Sequence, residues 1–332
     1  MTDDHSTRET TPPLRQRRAE FYSVVTAVTF IGVFVLAMAL TGGHGRLLQL
    51  AQAQWGVILG LLGLSGLNYA TRAVRWQVFS VGAGVRVPLL RNALYFVSGF
   101  SMMVTPGKVG EVLRLWLLRR HYGYGYTQTT PILVADRLSD LAAILLLSFA
   151  GVSAFSGFLP VLAAILVVTV AIVLLLVRSS PLLRGLQTLQ HRVRRLRRPL
   201  ELMQTTLRQT SQLHSRRLFA ITLVLACTGW AFEALGFFWL LQVLGANVNL
   251  LQAVFIFAFA MLVGAIAVLP GGLGGTEATM TALLTAAGVE LDVAIVATAV
   301  IRITTLWFAV VVGFAALVPA LRGARPKEAR SG

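Results

Sequence analysis

Residues 90–118 read LRNALYFVSGFSMMVTPGKVGEVLRLWLL, and this stretch decides the fold of the chain. It holds two apolar runs separated by Thr105-Pro106-Gly107. A helix needs about 20 apolar residues to cross the hydrocarbon core of a bilayer, so neither run can span it alone. Irregular backbone at membrane depth is tolerated only where it is buried in protein or faces a water-filled cavity. The stretch therefore predicts a re-entrant helical hairpin with its tip at Pro106-Gly107.

The composition around this hairpin predicts an all-α integral membrane protein. Of 332 residues, 56% are hydrophobic and 13% are charged, whereas about a quarter are charged in an average soluble domain. Long uncharged stretches predict transmembrane helices, and we favour an uncleaved first helix over a signal peptide. We predict about six transmembrane helices, at residues 22–41, 55–80, 130–151, 159–177, 218–244 and 291–318.

The positive charge of the chain indicates its orientation. The net charge is +16, and 24 of the 29 lysines and arginines fall in residues 8–18, 72–91, 119–120, 178–217 and 322–330. These segments can all be placed on one side, and the opposite loops hold only Arg46. By the positive-inside rule that side is the cytoplasm. We expect a multi-pass protein of the bacterial or archaeal cytoplasmic (inner) membrane with both termini inside, and no nucleic-acid partner.

Three segments lie outside the predicted spans. Residues 1–20 are predicted to be a disordered cytoplasmic tail and residues 321–332 a basic cytoplasmic tail, on either side of a transmembrane domain at 21–320. In residues 178–217 leucines recur every three or four positions and arginines fill the positions between them. This pattern predicts an amphipathic helix on an anionic membrane surface, with a solvated basic linker as the alternative.

A second broken segment repeats the pattern of the first. Residues 251–269 are apolar, residues 270–275 read PGGLGG, and residues 276–287 form a second short run. Glu111 precedes Arg137 by 26 positions and Glu277 precedes Arg302 by 25, and a Gly-Ala pair precedes each hairpin (residues 82–83 and 245–246). We predict an internal duplication, with repeats at about 55–151 and 218–318. The predicted orientations make it an inverted repeat, which is typical of alternating-access transporters.

Charged side chains within the predicted spans indicate a functional site. Each costs at least about 2.5–3.5 kcal/mol in a membrane, so each needs a partner or a purpose. Some neutralise one another, Glu277 with Arg302 being a natural pair. A purely structural network is a weak explanation for all of them, because buried ion pairs stabilise less than apolar packing. The charged residues are Lys108, Glu111, Arg114, Asp136, Arg137, Asp140, Glu233, Glu277 and Arg302.

The tips of the two hairpins predict an anion site. Each tip precedes a half-helix N-terminus, where free backbone amides and the helix dipole favour an anion such as phosphate. We expect Lys108 to contact it directly. The predicted substrate-binding residues at the tips are Thr105, Pro106, Gly107, Lys108 and Gly110, then Pro270, Gly271, Gly272, Gly274, Gly275 and Thr276; the charged residues above, except Glu233, complete the site.

Enzyme chemistry has weaker support in the sequence. The five histidines fall in predicted loops or tails, which argues against zinc. No Gly-Lys-Ser/Thr follows the glycines of the second tip, so a Walker motif is absent. A magnesium site at Asp136 and Asp140 is the remaining alternative, with Arg137 between them against it. We therefore expect no cofactor, no metal and no catalytic residue.

The two hairpin motifs resemble a known family. Residues 92–115, containing TPGKVGEVLR, and the sequence LPGGLG at 269–274 with Glu277 are similar to the lysylphosphatidylglycerol synthase transmembrane region, also called the flippase-like domain family. The resemblance covers about residues 20–320 and implies a translocase for lipids or polyprenyl-phosphate-linked glycolipids. In bifunctional members the domain moves an aminoacylated phospholipid made by a fused synthase. The printed chain ends at Gly332 with no such domain, so lysyl transfer is not expected.

The resulting hypothesis is a flippase for an anionic or polyprenyl-phosphate-linked lipid, not an enzyme. Its headgroup would sit at the hairpin tips, and Glu111, Glu277 or Asp140 would carry a proton if transport is ion-coupled. A separate lipid-synthesising enzyme is a further candidate partner. Two alternatives stay open, namely a membrane-embedded enzyme acting on lipid phosphates and an accessory subunit of an envelope-lipid pathway.

Overall fold

The structure is a computed structural model that describes residues 55–105, 109–177, 216–267 and 270–322. These residues form helices and turns, without a strand. The helices are α1 (Trp55–Gly82), α2 (Leu89–Ser98), α3 (Val109–Tyr122), α4 (Tyr126–Ala150), α5 (Leu159–Val177), α6 (Arg216–Val243), α7 (Leu250–Ile266), α8 (Gly275–Ala286), α9 (Leu291–Arg302) and α10 (Phe308–Leu321). Short 3₁₀ turns cover Gly99–Met102, Val152–Phe158 and Pro270–Gly272, and a π turn covers Ile303–Trp307.

Three helical segments of the described residues are long and apolar enough to cross a membrane. They are Trp55–Gly82, Arg217–Val243 and Leu291–Leu321, the last running through α9, the π turn and α10. The chain is therefore an all-helical membrane protein. The predicted spans at 130–151 and 159–177 fall on α4 and α5, and the predicted first span at 22–41 lies outside the described residues. The predicted tail at 1–20, nearly all of the tail at 321–332 and residues 178–215 of the predicted basic segment 178–217 also lie outside them, while Arg216 and Arg217 begin α6.

Both predicted breaks are present as helix ends. The first apolar run forms α2 and a 3₁₀ turn, and the second run forms α3. The second hairpin has α7 before its break and α8 after it. In the first hairpin the arms touch through backbone, because a Cβ added at Gly110 would overlap the carbonyl oxygen of Gly99. Glycine at both positions is thus what permits this close approach.

The same turn ends the first helix of each half. Gly84 has a φ of +75° and Gly245 a φ of +74°, in the left-handed region that favours glycine. These glycines lie 161 residues apart, and with that offset the backbone hydrogen bonds around them join corresponding atoms. Three positions further on, Val87 and Val248 are both buried. Gly84, not Gly82, is therefore the structural counterpart of Gly245, which corrects the pairing of the Gly-Ala dipeptides.

The first arm of each hairpin packs against a helix of the other half. The first arm of the second hairpin, α7, packs against α4 of the first half, and α2 packs in the same way against α10 of the second half. Helices α1 and α6 form the most extensive helix contact, in which Asn68 donates a hydrogen bond to the carbonyl oxygen of Gly229 at 2.8 Å. This reciprocal arrangement supports a duplication and places both hairpins beside the same central space.

Several residues lie elsewhere than the sequence predicted. Tryptophans near the ends of a span are typical of the membrane interface, but Trp76 has no exposed surface and donates its indole N–H to Asn92. Arg72 and Arg75 were counted among the cytoplasmic charges, yet both lie buried within α1. His121 was placed in a loop and instead lies in the last turn of α3, hydrogen-bonded to the Tyr95 hydroxyl. Burial, helped by Arg120 and Arg91, lowers the pKa of the His121 imidazole.

Candidate functional site

Two ion pairs occupy matching places in the two halves. In the first half Arg137 on α4 pairs with Glu111 in the first turn of α3. In the second half Arg302, the last residue of α9, pairs with Glu277 in the first turn of α8. Each pair ties the second arm of a hairpin to the helix that follows it. The separations of 26 and 25 residues noted in the sequence therefore reflect two equivalent contacts.

The second hairpin tip is held by the same carboxylate. Glu277 accepts a hydrogen bond from the backbone N–H of Gly274 at 2.6 Å, and Arg302 donates to the carbonyl oxygen of Gly271 at 2.8 Å. A carboxylate of the chain thus takes one of the amides at the N-terminus of α8, where we predicted an anion. Thr276 is buried beside it.

A second ionic network crosses from α1 to α4. Arg75 donates to Asp136 at 2.7 Å and lies 2.8 Å from Asp140, while Arg72 donates to Asp140 at 3.1 Å. Trp230 on α6 donates its indole N–H to Asp140 at 2.9 Å, and Arg72 lies over the Trp230 ring. The carboxylates expected as an alternative magnesium site are therefore bound by arginines. Within the described residues, no three His, Cys, Asp or Glu side chains are placed to hold a metal ion.

Sequence reasoning missed Arg72 and Arg75 as members of the site. A signal was present, because residues three apart on α1 share a face and so do Asp136 and Asp140, four apart on α4. Two arginines and two carboxylates with such spacings can form a ladder between neighbouring helices. The positive-inside rule gives Arg72 and Arg75 another explanation, as cytoplasmic charges, and the spacing alone does not decide between the two.

A cavity of about 680 Å³ lies between the two halves and is reached by both hairpins. Ten of the predicted site residues line it, namely Thr105, Gly110, Glu111, Arg114, Arg137, Asp140, Gly271, Gly272, Thr276 and Arg302. Tyr69, Arg72, Trp230 and Glu233 line it as well, and the prediction did not include them. Asp136, Gly274, Gly275 and Glu277 do not line the cavity, and Pro270 begins the turn that contains Gly271. The predicted contact Lys108, with Pro106 and Gly107, lies outside the described residues.

Arg114 is the exceptional cation of the cavity. It is only 2% exposed, and its Nε and Nη1 atoms have no hydrogen-bond partner among the described residues. No described carboxylate lies within ion-pair distance of it. The ring of Phe96 covers one side of the guanidinium, with its centroid 3.9 Å away. A cation–π contact offsets part of the cost of burying a charge but leaves the N–H donors unsatisfied.

Glu233 is the corresponding anion. This α6 side chain is 6% exposed and faces the cavity, one helical turn after Trp230. It takes part in no hydrogen bond or ion pair that the structure shows between described residues. The cavity thus contains one arginine and one glutamate that the surrounding ionic pairs do not use.

Comparison with known proteins shows the family of the chain. The family model of the lysylphosphatidylglycerol synthase TM region matches residues 23–313, and the chain belongs to this family. The UPF0104 membrane protein PH1989 of Pyrococcus horikoshii is 24% identical over 271 residues, covering 73% of this chain and 80% of that protein. A UPF0104 membrane protein of Methanothermobacter thermautotrophicus is 30% identical over 124 residues, covering 37% of this chain and 36% of that protein.

Proposed function

We propose that this protein moves a phosphate-bearing lipid, either an anionic phospholipid or a polyprenyl-phosphate-linked lipid, across the cytoplasmic membrane. The observation that carries the proposal is the cavity between the two halves, which Arg114 lines without a carboxylate partner among the described residues. A buried cation without a partner is costly. A phosphate in the cavity would supply the missing negative charge.

Arginine suits this role because its planar guanidinium presents N–H donors in a fork that matches phosphate oxygens. The apolar part of the cavity wall, which includes Leu141, Ile144 and Leu262, suits the hydrocarbon near a headgroup. We expect both termini of the chain to lie in the cytoplasm.

The transport mechanism we propose is alternating access by six spans and two re-entrant hairpins in an inverted repeat. Broken helices at a repeat interface are where such transporters bind their substrates. The reciprocal packing of α2 on α10 and α7 on α4 supports this view, since movement of one half would change the walls on both sides of the cavity. Membership of the lysylphosphatidylglycerol synthase TM family supports a lipid substrate.

Reconstitution tests the proposal. Purified protein in phosphatidylcholine vesicles should move acyl-chain-labelled phosphatidylglycerol or a labelled polyprenyl phosphate between leaflets without changing its mass. Arg114→Gln should lower that rate by roughly tenfold or more, since it removes charge-assisted hydrogen bonds to the phosphate.

The matched control is Arg120→Gln, on the same helix but exposed and outside the cavity. It should keep the wild-type rate. If neither labelled lipid moves faster than in empty vesicles, or if Arg114→Gln moves it as fast as Arg120→Gln, the cavity is not the translocation site.

A further inference from the structure

The buried charges around the cavity can be assigned pair by pair. Five arginines and five carboxylates are buried or line the cavity in the described part of the chain. Four of the arginines share four of the carboxylates: Arg72, Arg75, Arg137 and Arg302 with Asp136, Asp140, Glu111 and Glu277. Arg114 and Glu233 remain, and both face the cavity. Their two opposite charges cancel in the sum over the described residues.

The carboxylates first considered as proton carriers are all engaged. Glu111 and Glu277 each pair with the arginine of the following helix, and Asp140 accepts from Arg72 and Trp230. Protonating any of them would leave an arginine in the protein interior without its counter-charge, which is costly. Glu233 has no such partner among the described residues, so gaining or losing a proton there breaks no ion pair.

The polar groups around Glu233 come from several elements. Arg72 on α1, Asp140 on α4 and Arg302 on α9 are close enough to act on it electrostatically, but all three are held in the pairs above. From α1, the Tyr69 hydroxyl donates to the carbonyl oxygen of Thr305, in the π turn after Arg302. The surroundings of Glu233 are therefore fixed, and its own proton is the charge that can vary.

We propose that Glu233 binds one proton whenever Arg114 binds the lipid phosphate, so that lipid and proton cross the membrane together. This inference rests on the proposed function. A phosphate monoanion neutralises Arg114 and leaves the Glu233 carboxylate as an uncompensated negative charge in a buried site. A proton on Glu233 restores neutrality, and such neutrality lowers the cost of carrying charge through the membrane interior. When the phosphate leaves, Glu233 releases the proton and again balances Arg114.

This coupling predicts a transport direction set by pH. With one proton per phosphate monoanion, the loaded site carries no net charge, so a pH gradient drives transport and membrane voltage does not. In phosphatidylcholine vesicles with an alkaline interior and clamped voltage, traces of acyl-chain-labelled phosphatidylglycerol should accumulate in the inner leaflet. The limit is about tenfold per pH unit, as linkage of one proton requires.

Glu233→Gln tests the assignment, because glutamine imitates the protonated side chain. The variant should lose the accumulation of phosphatidylglycerol under a pH gradient, because no proton is then bound together with the phosphate. Binding of phosphatidylglycerol to the detergent-purified variant should take up no proton, whereas the wild type should take up close to one. Arg120→Gln, which removes an exposed charge outside the cavity, should behave as the wild type.

The outcomes separate this inference from the proposed function. Unchanged proton uptake in Glu233→Gln would overturn the inference and leave lipid transport intact. If Glu233→Gln lost movement only of lipids that carry an amine, the inference would also be overturned, because Glu233 would then bind a cationic headgroup. No movement of labelled lipid by the wild type would instead defeat the proposed function. A thermal unfolding curve of Glu233→Gln that matches the wild type excludes misfolding as the cause.

Discussion

At the scale of single residues, the most deeply buried ion pair in the described part of the chain joins Arg75 and Asp136, both with 0% side-chain exposure. Arg75 also reaches Asp140, whereas the second oxygen of Asp136 has no hydrogen-bond partner among the described residues. Such a pair is weak evidence for stability, because desolvation offsets much of its attraction. Removing only one residue of the pair is nevertheless destabilising, because the other charge stays buried without a partner. The pair positions Asp140, which lines the cavity, and thereby fixes one wall of the site.

We predict that Arg75→Met destabilises the protein by about 3–5 kcal/mol, because it leaves the Asp136 carboxylate buried without an ion pair. Adding Asp136→Leu should recover most of that loss, since an apolar pair of similar volume needs no compensation. The measurement is the free energy of unfolding of the detergent-purified protein in a denaturant titration. Arg91→Gln is the control for loss of an exposed charge. A double variant no more stable than Arg75→Met would show that the network contributes more than the pair.

At the scale of secondary structure, the first hairpin depends on backbone contact between its arms. Gly99 ends α2 and Gly110 lies in the first turn of α3, and nothing larger fits between them. This contact sets where Glu111 and Arg114 stand in the cavity, because both follow Gly110 on α3. The break at residues 105–107 was predictable from the sequence, since proline and glycine interrupt a helix locally. The closeness of the arms was not, because it depends on which residues face each other across the break.

Gly110→Ala should therefore destabilise the protein, by roughly 1–3 kcal/mol from overpacking, although alanine is the better helix former. Gly66→Ala on α1 is the matched control, since a Cβ added there meets nothing within 4 Å. That variant should be neutral or more stable by up to about 1 kcal/mol. The melting temperatures of detergent-purified Gly110→Ala and Gly66→Ala test these two expectations. Equal melting temperatures would mean that the arms can separate without cost.

At the scale of the whole molecule, the proposed inversion of the two halves makes a topological prediction. Arg86 and Asn247 lie 161 residues apart at corresponding positions of the two matching turns, and both are exposed. In an inverted repeat these positions lie on opposite sides of the membrane. The positive-inside rule places residue 86 in the cytoplasm.

Single cysteines at positions 86 and 247, in a Cys227→Ala background, test this arrangement in intact cells. Position 247 should react with a membrane-impermeant thiol reagent added outside, and position 86 should react only after the membrane is opened. Cys227 is the one native cysteine, so the background reports nothing else. Labelling of both positions from the same side would contradict the inverted repeat while leaving the duplication itself intact.

The sequence alone determined the helical class, the broken hairpins, the pairing of Glu277 with Arg302 and the family, because these depend on local hydrophobicity, on Pro and Gly positions and on short motifs. Only the tertiary structure decided which charges are left over. Arg75 meets Asp136 across 61 positions and Trp230 meets Asp140 across 90. Contacts between helices that lie far apart in the chain follow from packing, which no local pattern encodes. Only the tertiary structure therefore shows that Arg114 and Glu233 are the buried charges without an ion-pair partner among the described residues.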